Sequence, residues 1–344
     1  MPLRLLCTLA LALVLAACGG NEQPATDAPA GSDGDLVLYS GRSQALVEPV
    51  LDRFRETTGI EVRARYGRDA ELLAALAEEG ARSQADVFWA NTAGALGAAN
   101  NAGLLTGLPD SLLQRPGAYV PSSGRWVPVT VRFRVLAYNP ATVSESDLPA
   151  SVMDLPTMEA FRGRIGWTPT YSSFQDFITT MSLVHGEDTT RAWLRGVSAL
   201  EPKAYPSNTP MLEAMLAGEI DVALTNHYYV HRITEGEAEG AESVAIHRFA
   251  PGDVGNLALV TGAGLLASGA NDANAARLLR FLLSEEAQAM LAENVREYPV
   301  LRDAPTPSFL LPFDEAARLG PEIDFERLRD IEGTLRLLRD EELL

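Results

Sequence analysis

The feature that most restricts the fold of this chain is a regular alternation of short apolar runs with helical patterns, which starts at Leu36. Residues 36–39 and 85–89 are mainly apolar runs typical of buried strands. Between them, large apolar residues recur at helical spacing over 46–54 and again over 72–76. Strands that alternate with helices build layers around a mainly parallel sheet. The sequence therefore predicts an α/β fold.

A second group of such elements begins near residue 134, and an apolar strand over 257–266 then leads back to the first group. The chain has 344 residues, about twice the length of a typical domain. We therefore predict two lobes joined by a hinge of crossing strands. The first lobe is expected to comprise residues 36–133 plus about 259–309, and the second about 134–258 plus about 310–344.

The N-terminus has the pattern of a secretion signal. A positive start precedes an apolar run over 5–17, and Leu15-Ala16-Ala17-Cys18 resembles the bacterial lipobox. We expect residues 1–17 to be a cleaved signal peptide and Cys18 to carry a lipid. Residues 18–35 lack large apolar side chains and predict a flexible tether. The protein is then extracytoplasmic, anchored through lipid alone to a bacterial membrane, in the periplasm or on the outer cell surface.

The composition argues against several classes of function. There are 46 acidic and 28 basic residues, a net charge of −18, which disfavours nucleic acid as a partner. Both cysteines, Cys7 and Cys18, lie in the first 18 residues, which excludes a cysteine-based site in the body. His227 and His231 have a zinc-like spacing without a clear third ligand. The chain lacks a Gly-x-Ser-x-Gly motif, so a secreted hydrolase is disfavoured and we expect no enzyme activity.

The adjacent residues Tyr228 and Tyr229 are the strongest chemical signal in the chain. They follow an apolar strand directly, and ligands of α/β sheets bind beyond the carboxyl ends of strands. A phenolate is a hard anionic oxygen donor, and it suits the hard, highly charged Fe³⁺ ion. The alternative is that two aromatic rings merely pack at the start of a helix.

Six segments carry a resemblance to a known family. They are Tyr39-Ser40-Gly41-Arg42, Ala85-Asp86-Val87-Phe88-Trp89, Gly163-Arg164-Ile165-Gly166-Trp167, Tyr205-Pro206-Ser207-Asn208-Thr209, Asn226-His227-Tyr228-Tyr229 and Glu297-Tyr298-Pro299. Occurring in this order, they resemble the bacterial periplasmic ferric-ion-binding proteins, the substrate-binding subunits of ferric iron ABC importers. The resemblance extends over about residues 36–301. It implies the class II periplasmic-binding-protein-like fold and a monomer that delivers Fe³⁺ to the permease of an ABC importer.

The resemblance also implies roles for individual residues. Tyr228 and Tyr229 match the iron-binding phenolates of the family. Well-known members have a histidine and a glutamate where this chain has Ser43 and Asn91, so we expect these two residues only to form the cleft wall. Other members without those groups use a third tyrosine, and Tyr171 stands at the matching loop of the second lobe.

A synergistic anion, carbonate or phosphate, completes such iron sites in the family. Asn208 and Asn226 match positions that hold this anion. Arg42, Arg132 and Arg134 are expected to add guanidinium groups, whose forked geometry suits carbonate and phosphate. The alternative is a solute-binding protein on the same scaffold that takes an organic anion, a phosphonate or a ferric chelate, with the arginines dominating recognition.

Overall fold

The computed structural model describes residues 34–237, 242–301 and 303–344. The predicted signal peptide, Cys18 and the tether up to residue 33 lie outside the described residues. The strands are β1 (Leu36–Ser40), β2 (Val62–Tyr66), β3 (Val87–Ala90), β4 (Val127–Tyr138), β5 (Ile165–Trp167), β6 (Lys203–Ala204), β7 (Val222–Asn226), β8 (Ala245–His247), β9 (Ala258–Leu265) and β10 (Tyr298–Pro299). Within the described ranges, no helix is long and apolar enough to cross a membrane.

Helices connect most of these strands. They are α1 (Gln44–Thr58), α2 (Asp69–Glu79), α3 (Ala93–Asn101), α4 (Asp110–Leu113), α5 (Ser172–His185), α6 (Glu187–Ala199), α7 (Asn208–Leu216), α8 (His227–Ile233), α9 (Asp272–Leu282), α10 (Glu285–Val295), α11 (Phe313–Leu319) and α12 (Ile331–Asp340). The α/β class predicted from the alternating pattern is confirmed.

The strands form one sheet in the order β2-β1-β3-β9-β4-β7-β5-β6, with β10 and β8 also paired to β4. Strands β2, β1 and β3 are parallel and form the first half-sheet, while β7, β5 and β6 are parallel and form the second half-sheet. The antiparallel strands β9 and β4 join the two halves. Residues 127–133 of β4 pair with β9, and residues 134–138 pair with β7. Strand β4 therefore crosses from one half-sheet to the other, as the predicted hinge requires.

Each half-sheet has its own apolar core. Strands β1 and β3 pack with α1, α9 and α10 around Phe54, whereas the second core is built on Phe174, Phe177 and Trp193 of α5 and α6. In that second core Phe177 stands edge-to-face against both Phe174 and Trp193, with ring centroids 5.8 and 5.7 Å apart. Rings at such distances gain about 0.5–1.5 kcal/mol beyond the area that they bury. These contacts fix the start of α5, where the site described below begins.

The C-terminal tail packs against both cores. Phe325 and Leu328 belong to the core of the first half-sheet, and Leu337 and Leu338 of α12 belong to the core of the second. The tail therefore bridges the two halves beside α3 and α5. The lobe boundaries that the sequence suggests, including the placement of residues 310–344 in the second lobe, stay a prediction.

Candidate metal site

Three tyrosines meet because their strands end at the same edge of the second half-sheet. Strands β5 and β7 are parallel neighbours, so the segments that follow them start side by side. Tyr171 is the residue before α5, which follows β5 after a short loop. Tyr228 and Tyr229 lie in the first turn of α8, which follows β7 without a loop. Tyr171 and Tyr229, which are 58 residues apart in the sequence, are thereby brought side by side.

The three phenols are in direct contact. The hydroxyls of Tyr171 and Tyr229 are 2.9 Å apart and share a hydrogen bond. The rings of Tyr228 and Tyr229 are stacked, with centroids 4.1 Å apart and planes at 30°. Tyr228 is only 2% exposed. Burial raises the pKa of the Tyr171 and Tyr228 hydroxyls above the ordinary value of 10.0, and the neighbouring phenols raise it further.

The opposite wall comes from the loops that follow β1 and β3. Arg42 donates from Nη1 to Asn91 Oδ1 and from Nη2 to Glu297 Oε1, both at 2.9 Å. Burial alone lowers the pKa of Arg42, but Glu297 and the phenols of Tyr228 and Tyr171 offset this effect and raise it. Arg42 is therefore a fixed positive charge beside the phenols, with two of its nitrogens engaged by internal partners.

Arg132 and Arg134 project from one face of β4 into the same region, as their alternation predicts. Arg132 Nη2 donates to the carbonyl oxygen of Asn91 at 2.7 Å, and Arg134 Nη1 reaches Asn226 Oδ1 at 3.4 Å. Burial, followed by repulsion from Arg132, lowers the pKa of Arg134 to about 9. Within the described part of the chain, Arg132 Nη1 and Arg134 Nη2 are buried without hydrogen-bond partners.

A group of buried polar atoms lies at the ends of β5 and β7 and at the starts of α5 and α7. Neither polar atom of the Asn208 side chain has a partner among the described residues, nor has Nδ2 of Asn226. The hydroxyls of Thr168, Ser173 and Thr225 are also buried and unpaired within that part. Because a buried polar group without a partner costs about 1–3 kcal/mol, such a group of donors indicates a place for a polar ligand.

The structure brings most of the predicted site residues together, but their roles stay a prediction. Ser43 is exposed before α1 and its side chain makes no capping bond. Asn91 lies in the wall and contacts both Arg42 and Ser172. Glu297, fully buried beside Arg42, was not singled out from the sequence, although it lies in one of the six matching segments.

The two histidines beside the tyrosines differ: both ring nitrogens of His227 are hydrogen-bonded, whereas the buried Nε2 of His231 has no hydrogen-bond partner in the described part of the chain. His227 Nδ1 accepts from the backbone N–H of Phe133 at 3.1 Å, and Nε2 donates to the carbonyl oxygen of Arg296 at 3.0 Å. Burial holds the pKa of His227 well below its ordinary value of 6.5. Burial likewise lowers the pKa of His231 to about 4, and Arg248 and Arg296 contribute.

This environment makes stability sensitive to mild acid. A histidine that is neutral in the folded protein contributes stability fully above pH 6.5, and loses it as the pH falls towards about 4. At pH 5.0 the loss for His231 is about 2 kcal/mol. We expect His231→Phe to reduce, by about this amount, the fall in unfolding free energy between pH 7.5 and 5.0. Urea denaturation measures the fall, with the exposed His185→Ala as the control; equal falls in both variants would contradict this account.

No group of three or more His, Cys, Asp or Glu side chains that could hold a metal occurs within residues 34–237, 242–301 and 303–344. The candidate metal donors that converge are phenols. Phenol oxygens backed by arginines form a site suited to a small, hard, highly charged cation.

Comparisons with known proteins give the family of this chain and several iron-binding relatives. The chain matches the family model described as bacterial extracellular solute-binding protein over residues 36–294. It is 31% identical over 301 residues to the Fe(3+)-binding periplasmic protein of Serratia marcescens, covering 87% of this chain and 88% of the relative. Iron-bound HitA from Pseudomonas aeruginosa has a TM-score of 0.82 at 33% identity, covering 89% of this chain and 98% of that chain. The Trichodesmium protein IdiA (FutA), solved with iron and citrate, has a TM-score of 0.76 at 26% identity, covering 89% of this chain and 99% of that chain.

Proposed function

This chain belongs to the bacterial extracellular solute-binding proteins, among the periplasmic ferric-binding members, and we propose that it captures Fe³⁺ through three phenolates for delivery to an ABC importer. The observation that carries the proposal is the convergence of Tyr171, Tyr228 and Tyr229, whose hydroxyls and rings lie in contact. Three phenolates balance the charge of one ferric ion. Two buried arginines, Arg42 and Arg132, then face the electron-rich ligands from the opposite wall.

Binding requires each phenol to lose its proton. The raised pKa values of Tyr171 and Tyr228 mean that the hydroxyls are neutral before the ion arrives. A trivalent cation inverts this preference, because its charge favours the phenolate strongly. Each phenolate that binds iron therefore releases one proton, and ferric affinity is expected to fall steeply as the pH is lowered.

The unpaired polar atoms near the phenols support a place for a second ligand, an anion. Asn208 and Asn226 offer amide donors, and Arg134 Nη2 is a buried donor without a partner in the described part of the chain. Carbonate or phosphate accepts several hydrogen bonds at once, which suits such a set of donors. The anion then fills the iron coordination positions that three phenolates leave open.

The hinge strands provide the mechanism of capture and release. The second half-sheet holds the three tyrosines, and the wall with Arg42 and Asn91 closes over the ion by rotation about β4 and β9. Contact with the importer's permease then reopens the cleft. The predicted lipid on Cys18 would keep the protein, acting as a monomer, at the membrane that holds this permease.

A visible absorption titration tests the proposal. Metal-free protein is titrated with ferric nitrilotriacetate at pH 7.5, with and without added bicarbonate. We expect a phenolate-to-iron charge-transfer band that saturates at one iron per protein and that strengthens with bicarbonate. A protein that binds no iron and gives no band would refute the ferric proposal.

A second candidate keeps the scaffold and changes the ligand. Arg132 Nη1 and Arg134 Nη2 are buried without partners in the described residues, which favours a bound organic anion or a ferric chelate. Calorimetric titration with citrate alone and with ferric citrate distinguishes this candidate from the binding of free ferric ion. Binding of ferric citrate without the phenolate band would favour this candidate.

A further inference from the structure

Asn91 is held rigidly by its own side of the cleft. Its backbone N–H donates to Asp69 Oδ1 at 3.0 Å, and its carbonyl oxygen accepts from Arg132 at 2.7 Å. Its side-chain Oδ1 accepts from Arg42 at 2.9 Å. Three of its four polar groups are therefore satisfied by residues on the side of the first half-sheet or on β4. The fourth group, Nδ2, is aimed across the cleft by the other three.

That fourth group bonds to the opposite wall. Asn91 Nδ2 donates to Ser172 Oγ at 3.0 Å, and Ser172 is the first residue of α5, directly after Tyr171. The contact joins the loop after β3 to the helix after β5, so opening of the cleft would break it. It involves no metal donor.

A second contact lies one helical turn further along α5. Asp176 is 3% exposed, and its carboxylate lies against Gly94. A Cβ atom added to Gly94 would be only 3.0 Å from Asp176 Oδ1. Gly94 is in the first turn of α3, on the other side of the cleft, where the helix dipole favours a nearby carboxylate. Arg132 is the positive charge and Asp69 the negative charge that face this carboxyl. The glycine allows the two helix starts to approach.

We propose that Asn91, Gly94, Ser172 and Asp176 form a latch that holds the cleft closed without iron. The two contacts are made by residues that are not among the candidate metal ligands, and they bury polar groups from both walls. In a hinged protein the closed form is populated according to its own free energy, whether or not a ligand is present. Iron entry then requires the latch to open, and the latch slows iron release.

Hydrogen exchange of the full, metal-free chain at pH 6.5 tests the latch. We expect peptides that cover residues 92–96 and 172–176 to exchange at nearly the same rate before and after addition of ferric nitrilotriacetate. Ser172→Ala should speed exchange in both peptides by roughly 5–10-fold, the effect of one lost hydrogen bond. Asn91→Ala should speed it at least as much, because it also removes the hydrogen bond from Arg42. The exposed Asn294→Ala on α10 is the matched control.

The opposite result overturns the latch. If the metal-free protein exchanges at these peptides as fast as Ser172→Ala does, and iron alone supplies protection, then the metal closes the cleft. The comparison of Ser172→Ala with the unmodified chain needs no iron, so a failed ferric titration leaves the latch testable. Conversely, a protein that binds iron but shows no protection beforehand refutes the latch and retains the ferric proposal.

Asp176 gives the latch a second, independent readout. Burial raises the pKa of this carboxyl to about 7, and opening returns it to solvent. Because the pKa of this carboxyl is higher in the closed form than its ordinary value of 3.8, protons favour closure, and the latch weakens as the pH rises from about 4 to about 7 and levels off above that. Between pH 6 and pH 8.5 we therefore expect exchange of the unmodified chain at residues 92–96, corrected for the intrinsic exchange rate, to accelerate by about tenfold. Asp176→Asn should show no such acceleration; equal acceleration in the two chains would remove Asp176 from the latch.

Discussion

Replacement of Tyr228 by phenylalanine is expected to weaken ferric binding by roughly a thousandfold or more. The variant removes one anionic oxygen ligand from a trivalent ion. Mutating residues that only hydrogen-bond to metal ligands already costs about 10–100-fold in metal affinity, so loss of a ligand itself should cost more. The ring itself is retained, so its stack on Tyr229 should persist and the fold should be preserved. The same change at Tyr229 also removes the hydrogen bond to Tyr171 and should have a comparable effect.

Competition against a chelator of known ferric affinity measures this loss, and the charge-transfer band should weaken in parallel. Tyr138→Phe is the matched control, because Tyr138 is a buried tyrosine at the far end of β4 from the site. If Tyr228→Phe binds iron as tightly as Tyr138→Phe does, the phenolate site is wrong. Retained binding of ferric citrate in that case would point to the arginines.

Replacement of Glu297 by leucine should cost about 3–5 kcal/mol of unfolding free energy. The side chains of Arg42 and Glu297 are only 2% and 0% exposed, and they form an ion pair at 2.9 Å. Removing one partner leaves the other charge buried without compensation, which is far more costly than removing both. Thr130 also donates to Glu297, so the variant removes a second buried hydrogen bond.

Urea denaturation at pH 7.5 measures this cost, with the exposed Glu293→Leu on α10 as the control. The double variant Arg42→Met, Glu297→Leu should be more stable than Glu297→Leu alone, because the stranded charge is gone. A double variant that loses the full sum of both single losses would show that the two side chains are not coupled. The iron titration of the double variant then reports what the Arg42 charge contributes to binding.

Local pattern predicted much of the fold because burial of a strand or one helix face is a property of consecutive residues. The apolar run at 85–89 became β3 (Val87–Ala90), and the strand expected over 257–266 became β9 (Ala258–Leu265). Tyr171 was selected by the family resemblance, at a loop that follows a strand, and it does meet Tyr229. Element ends moved by one to three residues, because neighbours in the sheet decide where pairing stops.

Other parts of the site could not be predicted from the neighbouring residues in the sequence. Thr168 and Thr225 look like ordinary strand-end residues, and only the packing of α5, α7 and β7 leaves their hydroxyls buried and unpaired in the described part of the chain. Asp176 resembles an ordinary polar residue in a helix. Its burial depends on α3, whose first turn approaches α5 across the cleft.

By itself the sequence determined the α/β alternation, the tyrosine pair after a strand and the resemblance that made iron the expected cargo. These are properties of residue type and local order. Only the tertiary structure decided that Glu297 faces Arg42 from 255 residues away and that Asn91 reaches Ser172 across the cleft. Such contacts depend on how the crossing strands place the two half-sheets. The energy of a buried polar pair is set by the distance between its atoms in space, and the separation of the two residues along the chain does not reveal that distance.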